Sequence, residues 1–434
     1  MFISNFEIDT SNEEKRAVIT MDFKDGTFEF LNCGLSLGKN MKHTKSISPI
    51  SGKEIDAEII EENGKIYLAK EGKKYLLEND VNFYKLMVRE YPEKQSLCTH
   101  IGMYVSGKCN MNCPFCYEIK SEEPTFEEIE VIVNKYNKKP IVLGGLEPTL
   151  REDLFEIIKM IRKKNYPFLA TNGLTLVDFN YVLGLKKSGL WCVIFALNGN
   201  ETKPILDQKL KALKNLKKIG LRTMMSVMLT KGSNEDKIKE IYDYCMKNRS
   251  FITELRFRTQ IPIKKFLKVE PFCMSELVEA VANNLKVDKK DIMKEHFFKE
   301  EILKRLKYIK GRYSATLQNY FKTRLCSMYF TISKGKSVGH KINLEKAKRS
   351  ELWLMYYLFR TYGLRFILEK FMFPFIELPN FLKNKNMIQI LLRRWQDIYT
   401  IDLERNKECC FRSYRGDDFK TQRGIPFCQS LCVK

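Results

Sequence analysis

The sequence predicts an α/β protein: a partial (β/α)6 barrel with a small β-rich N-terminal unit and a helical, cysteine-containing C-terminal extension. Three observations carry that prediction. Six short apolar runs recur between residues 97 and 300, namely "HIGMYV", "PIVLGG", "PFLATNG", "LWCVIFALNG", "RTMMSVML" and "ELRFRTQ", each too short and too uniformly apolar for an amphipathic helix. Between them lie stretches of helical periodicity. Before them, apolar and polar residues alternate around two Gly-containing turns.

Taken in order, residues 1–92 read as a small β-rich domain. "AVITMDFKDGTFEFL" alternates around Asp25-Gly26, and "AEIIEENGKIYLAK" around Asn63-Gly64, so two hairpins are expected. Residues 93–300 form the β/α core. In "TFEEIEVIVNKY", Thr125 and Glu128 make a capping-box signature, and "REDLFEIIKMIRKK" places acids ahead of bases, as the helix dipole favours. Strand and helix alternating six times implies right-handed winding, with ligand chemistry at the C-terminal strand ends. Residues 301–434 are basic. The aromatic-rich run from 351 to 395 suits amphipathic helices, broken at Pro374 and Pro379.

The chain has 434 residues and 13 cysteines, enough residues to bury a core without disulfides. Its start, "MFISNFEIDTSNEEKRAV", has no basic segment leading into a long apolar one, and no later stretch is long enough to span a bilayer. A cytoplasmic protein, at most peripheral to a membrane, is therefore expected. In a reducing compartment, cysteines at motif spacing read as metal ligands or redox groups. The formal charge of +22 makes anionic partners plausible, among them nucleic acid, phospholipid and phosphorylated metabolites, and equally describes a Lys-rich solvated surface.

Cys109, Cys113 and Cys116 stand in "KCNMNCPFCYE", directly after the first core run. Three thiolates so close repel one another unless a cation holds them, and soft thiolates favour zinc, copper(I) or iron–sulfur clusters. Structural zinc takes four protein ligands. No fourth Cys or His lies nearby, so the set points to a cubane cluster with one iron open.

Cys109-x3-Cys113-x2-Cys116, with Phe115 and Tyr117 flanking the last ligand, resembles the signature of the radical S-adenosylmethionine (radical SAM) enzymes. The resemblance implies a radical SAM barrel and a [4Fe–4S] cluster whose open iron is chelated by S-adenosylmethionine. It also implies reductive cleavage to a 5′-deoxyadenosyl radical, hydrogen abstraction from an unactivated carbon, and an electron donor such as ferredoxin or flavodoxin. "VLGGLEPTLRED" is similar to the family's Gly-Gly-Glu-Pro segment, which implies cofactor contacts from Gly144, Gly145, Glu147 and Pro148, although Leu146 stands where a second glycine is expected. "LATNGL" resembles the Thr-Asn-Gly turn, which brings in Thr171 and Asn172. Asn198, and Ser226 on the fifth run, are candidate polar contacts, with turn residue or buried hydroxyl as the ordinary alternative.

The ends of the chain add two resemblances. Residues 44–72 are similar to a zinc-ribbon or rubredoxin-like knuckle of archaeal members that resemble tetraether lipid synthase. The pattern Cys-Pro-x-Cys is here Ser48-Pro49-Ile50-Ser51, and serine is a poor ligand for a soft metal. Cys326, Cys409, Cys410, Cys428 and Cys432 resemble the C-terminal set with which family members bind an auxiliary [4Fe–4S] cluster, the alternative being free or zinc-bound thiols. Substrate expectations remain three: a lipid or isoprenoid chain at an anionic membrane surface, a peptide or small metabolite, or RNA held by a non-catalytic iron–sulfur protein.

Overall fold

A computed structural model describes the backbone of eight N-terminal strands between residues 7 and 77. It further describes residues 100–113, 116, 122–260, 272, 274–306, 327–368, 385–395, 411–422, 424–428 and 430. The N-terminal strands make two small hairpins, β1–β2 (Glu7–Asp9, Arg16–Val18) and β3–β4 (Asp22–Phe23, Gly26–Thr27). They also make an antiparallel four-stranded sheet, β5 to β8 (His43–Ile47, Glu54–Glu62, Lys65–Lys70, Lys73–Leu77). Glu62 pairs with Lys65 around Asn63-Gly64, the dipeptide that a tight hairpin needs. Ser48 to Ser51 lie outside the described residues.

The six core runs form β9 (His100–Ser106), β10 (Pro140–Gly145), β11 (Tyr166–Thr171), β12 (Cys192–Ala196), β13 (Thr223–Leu229) and β14 (Ile252–Thr259). All are parallel to their neighbours. Between them run α1 (Phe126–Asn134), α2 (Leu154–Arg162), α3 (Phe179–Lys187), α4 (Lys203–Ile219) and α5 (Ile238–Lys247). The capping box at α1 is formed reciprocally: Glu128 N–H donates to Thr125 Oγ1 at 3.2 Å and Thr125 N–H to Glu128 Oε2 at 2.9 Å.

The C-terminal third holds α6 (Met274–Leu285), α7 (Lys289–Leu306), α8 (Leu344–Arg349) and α9 (Glu351–Ile367). It also adds strands to the core sheet. β17 (Met387–Arg393) lies parallel beside β14, and β18 (Phe411–Tyr414) parallel beside β9. Antiparallel β15 (Ser327–Ser333) with β16 (Lys336–Ser337), and β19 (Ile425–Pro426), finish the two edges. "MIQILLR", expected within a helical run, is thus a strand. Six of its seven residues are buried, and an apolar run that short carries no period that separates a buried strand from a buried helix.

Eight adjacent parallel strands, β18-β9-β10-β11-β12-β13-β14-β17, curl toward closure. Across the remaining opening Trp395, just after β17, sits 4.8 Å from Phe427, which stacks at 4.8 Å on Phe411 of β18.

Alternation along the strands defines two faces. Ile141, Leu143, Leu169, Val193, Phe195, Met225 and Leu255 are buried in one apolar cluster with helix residues such as Ile129, Ile157 and Leu213. Their neighbours Val142, Ala170, Ile194, Ala196, Arg256 and Arg258 are only half-buried and face the barrel interior. At the N-terminal end Phe168, Trp191 and Cys192 pack together as a floor.

Candidate functional site

β9 delivers the chain into the cysteine loop at the C-terminal edge of the sheet. Glu123 Oε1 accepts from Gly107 N–H at 2.8 Å and from Ser106 Oγ at 3.3 Å, which fixes the departure of the loop. Cys109 is exposed, and Cys113 and Cys116 are half-buried thiols. Cys116 N–H donates to the carbonyl of Cys113 at 3.1 Å, a tight turn that keeps those two side chains together. Phe115 and Tyr117 lie outside the described residues. Among the described residues no three Cys, His, Asp or Glu side chains converge as ligands of a single ion.

Two donors address the first sulfur. Met111 N–H lies 3.4 Å from Cys109 Sγ, and Asn172 Nδ2 lies 4.0 Å from it. Asn172 Nδ2 also donates to Asn110 Oδ1 at 2.8 Å, so the turn after β11 holds the cysteine loop. Burial pushes the Cys113 thiol up; nearby Lys209 opposes this, and Cys116 and Cys109 add to it. The three sulfurs therefore share one electrostatic neighbourhood. Donors aimed at sulfur, together with closely coupled thiols, are what a thiolate-ligated cluster requires.

The Gly-Gly-Leu-Glu-Pro segment closes over the same edge. Pairing between β10 and β9 slips here, from Gly144 opposite Tyr104 to Gly145 opposite Ser106. Gly145 has φ +115, and a Cβ on it would lie 2.6 Å from the Ser106 carbonyl oxygen. Leu146 N–H donates to that carbonyl at 2.9 Å, and Glu147 N–H to the carbonyl of Lys108 at 2.8 Å. Leu146 thus sits in a loop remodelled by a bulge, with its backbone tied to the cysteine strand.

Glu147 is fully buried. Its Oε1 accepts from Thr149 Oγ1 and Thr171 Oγ1, both at 2.7 Å, and from Thr149 N–H at 3.1 Å, while Oε2 accepts Asn172 N–H at 2.7 Å. Burial pushes the carboxyl up, against hydrogen bonds from Thr149, Asn172 and Thr171. Both oxygens therefore orient the neighbouring turn. Pro148 is buried and opens a 3-10 turn, Pro148–Leu150.

Asn198 is buried and bridges strands: its Oδ1 accepts Met228 N–H at 2.8 Å, and its carbonyl accepts Asn234 Nδ2 at 2.8 Å. Ser226 differs. Its hydroxyl is buried, faces the interior beside Arg256, and has no hydrogen-bond partner among the described residues. An orphaned buried hydroxyl calls for a ligand or water, and it is the observation that best fits a bound cofactor here. Of the C-terminal cysteines, Cys428 is buried, whereas Cys326, Cys409, Cys410 and Cys432 lie outside the described residues.

Residues not singled out in the sequence also meet at this edge. Lys209 and Glu201 form a buried ion pair at 2.8 Å near Cys113. Arg256, Arg258 and Arg393 line the interior of β14 and β17. The signal for the first two was present in "ELRFRT", where charged residues alternate with apolar ones; Arg393 becomes visible only once β17 is placed.

Residues 103–245 match the family model described as Radical SAM superfamily. Over 266 residues the chain is 29% identical to 7,8-dihydro-6-hydroxymethylpterin dimethyltransferase of Methanocaldococcus jannaschii, covering 50% of this chain and 53% of that protein. It is 31% identical over 158 residues to a probable GTP 3′,8-cyclase of Pyrococcus horikoshii, covering 32% and 50%. The chain spans about half the length of these relatives. A crystal structure of Streptococcus suis SuiB bound to S-adenosylmethionine aligns with a TM-score of 0.36 and 20% identity, covering 42% of this chain and 45% of that one.

Proposed function

We propose that this chain, whose residues 103–245 match the Radical SAM superfamily model, is a radical SAM enzyme acting on a small molecule held inside the barrel. The observation that carries the reading is the convergence, at one edge of the sheet, of the cysteine loop, the Gly-Gly-Leu-Glu-Pro loop and the Thr171-Asn172 turn. Cys109, Cys113 and Cys116 would hold a [4Fe–4S] cluster, and Gly144, Gly145 and Ser226 would border S-adenosylmethionine. When bound, the cluster and S-adenosylmethionine would supply reductive carbon–sulfur cleavage and, from it, hydrogen abstraction.

The protein's own residues position and enclose. Asn172 and Met111 direct N–H groups at Cys109 sulfur, which stabilises charge on a ligating thiolate. Glu147 fixes the Thr171-Asn172 turn from below, a positioning role. The outer apolar layer and the floor at Phe168, Trp191 and Cys192 keep bulk water from the base of the cavity. Electrons would come from a ferredoxin- or flavodoxin-like donor.

The test is anaerobic. Reconstituted protein, reduced with dithionite, should yield 5′-deoxyadenosine from S-adenosylmethionine, and a Cys109→Ala, Cys113→Ala, Cys116→Ala variant should yield none. Formation of a cluster without cleavage would overturn the enzymatic reading. Iron retained in the triple variant would support an auxiliary cluster on the C-terminal cysteines.

A second reading concerns location. Helix α9 breaks at Gly363, and before the break it exposes Leu352, Trp353, Met355, Tyr356 and Phe359, with Lys346 over the Trp353 ring and Arg360 over Tyr356. An apolar face ringed by cations suits an anionic membrane surface, and it supports the lipid or isoprenoid substrate that the N-terminal resemblance to tetraether lipid synthase suggests. Among the described residues no helix is long and apolar enough to cross a membrane. Co-flotation with phosphatidylglycerol vesicles, lost in Trp353→Ser/Phe359→Ser, would support the reading, and no flotation at low salt would remove it.

A further inference from the structure

We infer that Arg151 is a positioning residue for the cysteine loop: its guanidinium joins the two feet of residues 106–123, so that Cys109, Cys113 and Cys116 are gathered before a cluster arrives. The inference rests on the radical SAM reading for what the loop holds, whereas the clamp itself stands on geometry. Arg151 Nη1 donates to the carbonyl of Val105 at 2.9 Å and to that of Pro124 at 2.8 Å. Val105 is the second-last residue of β9, and Pro124 precedes Thr125, the N-cap of α1. One nitrogen thus ties the strand that enters the loop to the helix that leaves it.

An acid aims the guanidinium. Arg151 Nε donates to Asp153 Oδ1 at 2.6 Å and Nη2 to Oδ2 at 3.0 Å, a fork-to-fork pairing that fixes the plane of the group. Asp153 stands at the N-cap of α2, yet its side chain makes no capping hydrogen bond. An aspartate there ordinarily accepts from the first turn of its own helix; here the carboxylate serves Arg151 instead. The arginine side chain is 8% exposed, so the carboxylate and the two carbonyls replace most of the water around it.

Two neighbours make the clamp part of the site. Glu123 Oε1, which accepts from Gly107 N–H and Ser106 Oγ, crosses the same two feet one step further along. Arg151 follows the 3-10 turn Pro148–Leu150, so the loop whose Glu147 holds the Thr171-Asn172 turn also closes the base of the cysteine loop. Closing a loop costs entropy, and thiolates of like charge push one another apart until a metal arrives. Feet joined in the folded protein meet both costs before the cluster binds. Lysine cannot replace the fork, because a single ammonium does not grip a carboxylate at two points and two carbonyls together.

Arg151→Gln, Arg151→Lys and Asp153→Asn test the clamp in the full chain. In metal-free protein, hydrogen–deuterium exchange at Gly107 should quicken roughly tenfold in both Arg151 variants, with exchange in β13 unchanged. After reconstitution, a chelator should strip the cluster roughly tenfold faster from both. KM for S-adenosylmethionine should rise about fivefold at unchanged kcat, because a loop ordered for only part of the time lowers apparent affinity by that fraction. Wild-type exchange and cluster loss in Arg151→Gln would overturn the clamp. So would full rescue by Arg151→Lys, which reduces the residue to its charge, or a lower kcat at unchanged KM. Should the Arg151 variants fold poorly, Asp153→Asn decides, since it keeps the arginine and removes its aim: exchange quickened at Gly107 but not in β13 supports the clamp, and exchange quickened everywhere or nowhere overturns it. Wild-type protein that forms no 5′-deoxyadenosine while Gly107 responds as expected refutes the radical reading alone; cleavage with no response at Gly107 refutes the clamp alone.

Discussion

The carboxylate of Glu147 accepts the backbone N–H of Asn172 at 2.7 Å, and the side chain of Asn172 in turn reaches Asn110 in the cysteine loop at 2.8 Å. Three loops from three strands are thus linked through one buried acid. Glu147→Gln places an amide NH2 where donors already converge. It should destabilise the fold by about 1 to 3 kcal/mol and lower iron retained per chain. Urea unfolding and iron analysis check this, and wild-type values in both would refute the linkage.

Asn172→Ala leaves Glu147 satisfied, because the lost groups are the side-chain contacts to Cys109 and Asn110 and the acceptor for Leu174 N–H at 3.0 Å. Stability should fall by only about 0.5 to 1.5 kcal/mol. Cluster retention under a chelator challenge should fall roughly 10- to 100-fold, the range typical of groups that support metal ligands. Chelator kinetics by absorbance, beside thermal unfolding, separate the two effects, and equal loss in both would point to a merely structural residue.

The Lys209–Glu201 pair gives a different outcome. Burial pushes Glu201 up, but Lys209, then N–H groups led by that of Asn198, outweigh it and hold the carboxyl below its usual range. Lys209→Met leaves that acid buried without its cation and should cost about 3 to 5 kcal/mol. Lys209→Met/Glu201→Gln should recover part of the loss. Denaturant titration of the three proteins measures the coupling, and additive losses would rule the pair out as a unit.

How far the sequence revealed all this depended on how local each signal is. β9 to β14 were legible because each is a continuous apolar run bounded by turn residues. β17 was not, since "MIQILLR" sits in an apolar, basic run whose sequence reads as helical, and its strand state is decided by β14 and β15 on either side. "FRSY" is too short and polar to declare itself a strand until β9 pairs with it. At the site, the three cysteines were visible from spacing alone. That Glu147 turns toward Thr171 and Asn172 follows from the parallel register of β10 and β11, which no linear pattern encodes. Leu146 looked like a defect in a motif until the slipped pairing gave it a place.

Gly173 has φ +88, and a Cβ there would lie 2.3 Å from the Phe195 ring. Gly173→Ala therefore meets backbone strain and a clash together and should cost more than about 2 kcal/mol. Phe195→Leu in the same chain should relieve the clash but leave the strain. Stability equal to wild type in the single variant would show that the turn after β11 can relax, and would weaken its part in holding the cysteine loop.

His100, on the interior face of β9, reports on the arginine wall across the barrel. Desolvation, then Arg393, Arg256 and Lys139, lower its pKa from 6.5 to about 3. A histidine so depressed binds its proton more readily in the unfolded chain, so its contribution to stability is complete above about pH 6.5 and is lost as pH falls toward 3. His100→Asn should flatten that part of the stability profile relative to wild type. Because Arg393 supplies part of the field, Arg393→Gln should raise the imidazole midpoint, followed by the NMR shift of the ring protons. A wild-type midpoint near 6.5 would mean that the interior is neither dry nor cationic at β9. A depressed midpoint indifferent to Arg393 would place the cause in burial, with Arg256 and Lys139 as the remaining cations.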